Sequence, residues 1–174
     1  YYHGKLISKC SLFTNEMVGL AKASAVFHGA EHTIPDLLRY FQGIRSEDAF
    51  RRMCVLDAII LNPDRHYGNF GVLFDTTTME ILRMAPVFDN NKSLLPELDD
   101  DQLATPGWYI ARCRPRIGRD FIITARGLLT EEIRADLERL RDFTFRQHPK
   151  IQAEQVRLDA LSAIVRERIR QILT

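Results

Sequence analysis

The sequence predicts an α+β domain that is mainly helical, and three observations carry that prediction. Apolar residues recur at helical spacing in stretches near 34–43, 46–61, 130–141 and 150–172. Phe70–Asp75 and Glu80–Met84 instead alternate on either side of Thr76–Thr78, the pattern of a β-hairpin. With 174 residues, 45% hydrophobic and 27% charged, the chain suits one domain with a sizeable core. It is too apolar to be disordered and holds no uncharged run of membrane-helix length.

Each element has its own signal. The opening YYHGKLISKCSLF reads as extended, with Leu6, Ile7, Cys10, Leu12 and Phe13 its apolar residues. Residues 14–32 read as part loop and part weak helix, broken by Gly19 and Gly29. A short helix starts near Pro35, capped by Thr33 or Ile34, and ends at Gly43. Ser46 is an expected N-cap for the next helix, where Glu47 and Asp48 suit the positive end of the dipole. Asn62-Pro63 stops that helix, because a residue before proline is pushed out of the helical region. Residues 92–127, punctuated by Pro96, Pro106, Gly107, Pro115 and Gly118, read as irregular. Thr130 followed by Glu131 and Glu132 opens a helix to about Arg141, and a longer one occupies about 150–172. The apolar positions of that last helix spread wider than a heptad seam, so it is expected to pack within its own domain.

Charge and cysteine content narrow the class. A formal net charge of +1 gives no general reason to expect nucleic-acid binding. The distribution is uneven: residues 1–104 carry 10 basic and 14 acidic side chains, and residues 105–174 carry 14 and 9. Arg112, Arg114, Arg116 and Arg119 form the densest basic cluster, either a solvated loop or a patch for phosphate or an acidic partner. Cys10, Cys54 and Cys113 make no CxxC pair, so reduced thiols in a cytoplasmic protein are expected.

The chemically informative stretch runs from Leu61 to Asn90. Asp64 and Asn69 share one tight loop, NPDRHYGNF, and the hairpin returns Asp89 to the same open end. Phosphoryl transfer from a nucleotide needs oxygen ligands for Mg²⁺ and a carboxylate beside the acceptor hydroxyl. The protein-kinase catalytic loop uses an Asp, an Asn five residues later, and the Asp at a following strand end. Asp64, Asn69 and Asp89 stand in that order, the first pair at that spacing. Each has a plainer reading: Asp64 as a turn residue, Asn69 as a hairpin cap. Asp57 interrupts the apolar run VLDAIIL and is expected to brace the loop, because buried carboxylates are usually partnered. Arg65 is expected to make a salt bridge within the loop rather than to contact ATP.

DRHYGN with a downstream FD resembles the catalytic and metal motifs of the HipA-like serine/threonine kinases, which share a fold with phosphatidylinositol 3-/4-kinases. LDAIILN before the loop and GVLFD after it are also similar to HipA-like C-terminal domains. The resemblance covers about residues 53–95. It implies a protein-kinase-like C-terminal lobe with a small hairpin carrying the motifs, with Asp64 as catalytic base and Asn69 and Asp89 holding Mg²⁺. His66 would support the loop or the phosphates of ATP. Where a protein kinase has Asp-Phe-Gly, this chain has Phe88-Asp89-Asn90. The resemblance further implies a protein hydroxyl as acceptor and, in many members, a toxin–antitoxin pair with a DNA-binding partner. A lipid kinase shares the loop pattern, but no membrane-lying amphipathic helix is evident.

No glycine-rich phosphate loop is present, and Lys5, Lys9, Lys22, Lys92 and Lys150 do not sit in the strand setting that pairs with ATP phosphates. Residues 1–174 therefore read as one C-lobe-like domain beginning near the hinge, consistent with a first residue, Tyr1, that is not Met. The small lobe would lie upstream or on another chain, and the isolated lobe would bind nucleotide weakly. A non-catalytic binding module derived from a kinase is the alternative.

Overall fold

The computed structural model describes residues 10–27, 32–150 and 153–174. In chain order these form β1 (Val18–Lys22), α1 (Ala23–Val26), α2 (Ile34–Gly43), α3 (Glu47–Ile60), β2 (Gly71–Asp75) and β3 (Ile81–Met84). There follow α4 (Asp100–Ala104), α5 (Gly107–Arg112), α6 (Phe121–Gly127), α7 (Glu131–Arg139) and α8 (Gln155–Leu173). The α+β, mainly helical reading holds. The strands make one antiparallel sheet in the order β1-β2-β3, with Leu20 opposite Leu73 and Leu73 opposite Arg83.

The expected helix signals act through identifiable bonds. At α2, Thr33 Oγ1 accepts from the Asp36 N–H while the Asp36 carboxylate accepts from the Thr33 N–H, so two orphan donors are satisfied reciprocally. Thr130 Oγ1 accepts from the Ile133 N–H at the start of α7. The hairpin turn is held by Asp75, whose carboxylate accepts from the Thr77 and Thr78 N–H groups.

α3 is the shared wall of two cores. Its first half sends Phe50, Met53 and Cys54 into a cluster with Leu37 and Phe41 of α2 and Val72 and Met84 of the sheet. Its second half sends Val55, Ala58 and Ile59 against Phe121 and Ala125 of α6, Ile133 and Leu137 of α7, and Ile164, Val165 and Ile169 of α8. Phe41 and Phe50, both fully buried, stack with ring centroids 5.0 Å apart. Arg168 of α8 is buried as well, and its Nε donates to the Ala58 carbonyl at 2.9 Å, tying α8 to α3.

Five expectations are corrected. The strand lies at Val18–Lys22, inside the stretch read as loop and weak helix, while residues 10–13 carry none; residues 1–9 and Gly29 fall outside the described residues. Gly19 does not break this strand. It sits opposite Phe74, whose ring would lie 2.4 Å from a Cβ there. Ser46 makes no side-chain cap bond; its Oγ donates to the Ile44 carbonyl and accepts from the Met84 N–H, pinning β3 to the start of α3. Residues 92–127 are not irregular throughout, because Asp99 caps α4 reciprocally with Gln102, and Asp120 caps α6 through the Ile122 and Ile123 N–H groups. The last helix starts at Gln155, later than its apolar pattern suggested; Ile151 lies outside the described residues.

Candidate active site

The loop leaving α3 is shaped by one reversal and one ion pair. Leu61 adopts a left-handed conformation (φ 51°, ψ 53°), and the Asn62 N–H reaches back to the Asp57 carbonyl at 3.0 Å. A non-glycine residue pays for that conformation; Leu61 is fully buried, so its apolar contacts offset the strain. The turn brings Asn62 beside Asp57, where its Nδ2 donates to Asp57 Oδ1 at 3.1 Å and its Oδ1 accepts from the Asp64 N–H at 3.1 Å.

Arg65 organises everything downstream. It is 2% exposed and donates through Nε and Nη2 to both oxygens of Asp57, each at 2.9 Å. Its Nη1 donates at the same time to the Asn69 carbonyl at 2.8 Å and the Phe88 carbonyl at 2.5 Å. Nη2 also reaches Asn90 Oδ1. One planar fork therefore joins the end of α3, the end of the 62–70 loop and the segment after β3. Burial pushes the Asp57 carboxyl up, and the Arg65 guanidinium and the Asn62 amide pull it back. The expected brace at Asp57 is present, and the salt bridge expected of Arg65 within the loop is made instead to this residue of α3.

The structure brings Asp64, Asn69 and Asp89 to one end of the hairpin. The Asp64 carbonyl accepts from the His66 N–H at 2.8 Å and from Asn69 Nδ2 at 2.8 Å. That second bond turns the Asn69 amide so that its Oδ1 is left without a protein donor among the described residues. Asp89, exposed and at φ 56°, is held on both sides because Arg65 binds the flanking Phe88 and Asn90. Asp is among the residues that tolerate this conformation best. An amide oxygen and a carboxylate suit a hard cation that keeps several waters. His66 is placed differently: its Nδ1 accepts from the Gly68 N–H at 2.9 Å, and its ring faces a cleft that neither Asn69 nor Asp89 lines.

Sequence reasoning missed two contacts here. Asn62 was legible only as a helix stop, although an Asn before proline at a helix end is also placed to bond back to that helix. Arg116 contacts the loop from far along the chain, its Nε 3.5 Å from Asp64 Oδ1; nothing local to residue 64 signals it. Among the described residues no helix is long and apolar enough to cross a membrane.

No protein-family profile and no curated protein sequence matches the chain. Among solved structures it is similar to a Helicobacter pylori proinflammatory kinase, CtkA, with a TM-score of 0.60 and 17% identity. The alignment covers 92% of this chain and 70% of that one. The fold of this chain is kinase-like.

Proposed function

We propose that the chain supplies the base and metal half of an ATP-dependent phosphotransferase acting on a protein hydroxyl. The observation that carries this reading is the Arg65 fork, which fixes the 64–69 loop against residues 88–90 on a kinase-like fold. Asn69 Oδ1 and the Asp89 carboxylate would hold Mg²⁺, which would supply neutralisation of the nucleotide's phosphate charge. Asp64, half-buried with its main chain bonded on both sides, orients the acceptor hydroxyl and takes its proton. As that oxygen bonds the terminal phosphorus, the bond to the ADP oxygen breaks and ADP leaves. His66 acts on the loop, its ring nitrogen closing the turn at Gly68. A small lobe would complete the nucleotide site, encoded upstream or carried by a partner chain.

The test is transfer of labelled phosphate from ATP to protein by this chain together with its small lobe, whether that lobe is encoded upstream or on a partner chain, with Asp64→Asn beside it. The reading expects Mg²⁺-dependent labelling that Asp64→Asn lowers at least a hundredfold, with the far-UV circular dichroism unchanged. Activity surviving that substitution removes Asp64 as base; labelling of phosphoinositide vesicles but no protein transfers the site to lipid chemistry.

A further inference from the structure

The Arg112–Arg119 cluster is not used by the chemistry above, yet part of it borders the candidate site. A cleft of about 1120 Å³ opens beside the loop, between the start of α2, His66 and Tyr67, residues 116–120 and α6. Ile34, Pro35, Ile117 and Ile123 give it apolar walls, and Ile123 stands 73% exposed at the rim. Gly118 turns the chain between Arg116 and Arg119 at φ +80°, and a Cβ there would meet Thr124 Oγ1 at 2.6 Å. Both arginines consequently line the same cleft.

The charge balance of this cleft is one-sided. Its lining contains one carboxylate, Asp120, and that group accepts the Ile122 and Ile123 N–H groups as the cap of α6. Arg119 makes no ion pair among the described residues. Arg116 reaches only Asp64, at 3.5 Å, with its side chain 62% exposed. A pair so long and so exposed is weak and readily exchanged for a bidentate carboxylate.

We propose that this cleft docks the acceptor as an acidic peptide segment, Asp or Glu side chains flanking a Ser or Thr hydroxyl. This inference rests on the phosphotransferase reading for the hydroxyl and on the cleft alone for the acidic preference. Arg119 grips one carboxylate. Arg116 leaves Asp64 for another, which frees the Asp64 oxygen at the moment a hydroxyl arrives beside it. Asp64, Asn69 and Asp89 do not line the cleft; Arg116, which does, joins it to the Asp64 carboxylate, so the acceptor would reach the base past this arginine and away from the proposed metal ligands.

The test measures binding without phosphate transfer, so it fails or succeeds independently of the catalytic reading. Fluorescence anisotropy would follow a labelled Glu-Glu-Ala-Ser-Ala-Glu-Glu peptide and its Lys counterpart titrated with this chain. The acidic peptide is expected to bind at least tenfold more tightly, and Arg116→Gln/Arg119→Gln to abolish that preference with circular dichroism unchanged. Binding of the acidic peptide should weaken steeply in high salt. Undetectable or equal binding of the two peptides, or binding unaffected by the double substitution, overturns the proposal. So does displacement of the peptide by MgATP, or equally tight, Arg116/Arg119-dependent binding of a ten-nucleotide RNA.

Discussion

Replacing Arg65 by Met would remove the one side chain that holds three segments of the candidate site in register. Asp57 would keep only the Asn62 amide, and the Asn69 and Phe88 carbonyls would lose their common donor. Removing one member of a buried ion pair costs about 3–5 kcal/mol, since the other charge stays buried and uncompensated. The added loss of two carbonyl partners is not additive with this, because all the bonds share one guanidinium. For a chain of this size the cost corresponds to a fall in Tm of about 6–20 °C. Urea unfolding followed by far-UV circular dichroism measures it. Arg65→Lys keeps the charge but not the fork, so it should fall between wild type and Met. The double variant Asp57→Leu/Arg65→Met removes both charges and should recover most of the lost stability. It leaves residues 88–90 unhooked from the loop, so the proposed phosphate transfer, assayed with a small lobe present, should stay lost although the fold returns. A loss below about 1 kcal/mol in Arg65→Met, within the range of an exposed pair, would refute the keystone argument.

Two further predictions concern the scaffold. Gly71→Ala places a Cβ 2.2 Å from the Ala21 carbonyl, an atom of the neighbouring strand that cannot swing aside, and should cost about 1–3 kcal/mol in urea midpoint measurements. Gly19→Ala meets the far end of the Phe74 ring and should cost visibly less; equal costs would mean the sheet is not paired as described. In acid, hydrogen bonds from Arg52 hold the Asp136 carboxyl below its ordinary value, and the Thr78 and Thr77 N–H groups do the same for Asp75. Such groups stabilise the fold above their unfolded value of about 3.9 and lose that contribution as pH falls through their lower folded values. Tm should therefore drop below about pH 4, and Asp136→Asn should flatten the drop.

Legibility followed the range of the interaction behind each feature. Thr33 with Asp36, Thr130 with the Ile133 N–H, and Asp75 with Thr77 and Thr78 are bonds within three residues, and the sequence displays both partners. β1 was hidden because VGLAK has little strand propensity; Gly19 is suited to its place only by the Phe74 ring, which belongs to β2. α4, α5 and α6, of five to seven residues each, are too short for apolar periodicity to register, and only their Asp caps betray two of them. The spacing of Asp64, Asn69 and Asp89 was readable, and so was a brace at Asp57. That Arg65 binds three segments at once was not, since its partners at Phe88 and Asn90 are a carbonyl common to every residue and an asparagine adjacent to the motif.

The position of the ion pair explains why so polar a node can sit so deep. Asp57 lies on α3 between Cys54, which belongs to one core, and Ala58, which belongs to the other. Its carboxylate therefore occupies the seam where the two cores meet, beside Asn62, Arg65, Pro115, Ile117 and Phe121. Apolar side chains on both flanks keep water out, and in that setting the charge-assisted bonds hold fixed directions rather than exchanging with solvent. Pro115 and Ile117 at the same seam bracket Arg116, the residue facing Asp64 from the acceptor side. The loop carrying the proposed base and the turn carrying the proposed acceptor arginines are thus referred to one buried point. A substitution that loosens the seam, Phe121→Ala for instance, should disturb peptide docking and phosphate transfer together, whereas Arg119→Gln should weaken docking without touching the loop.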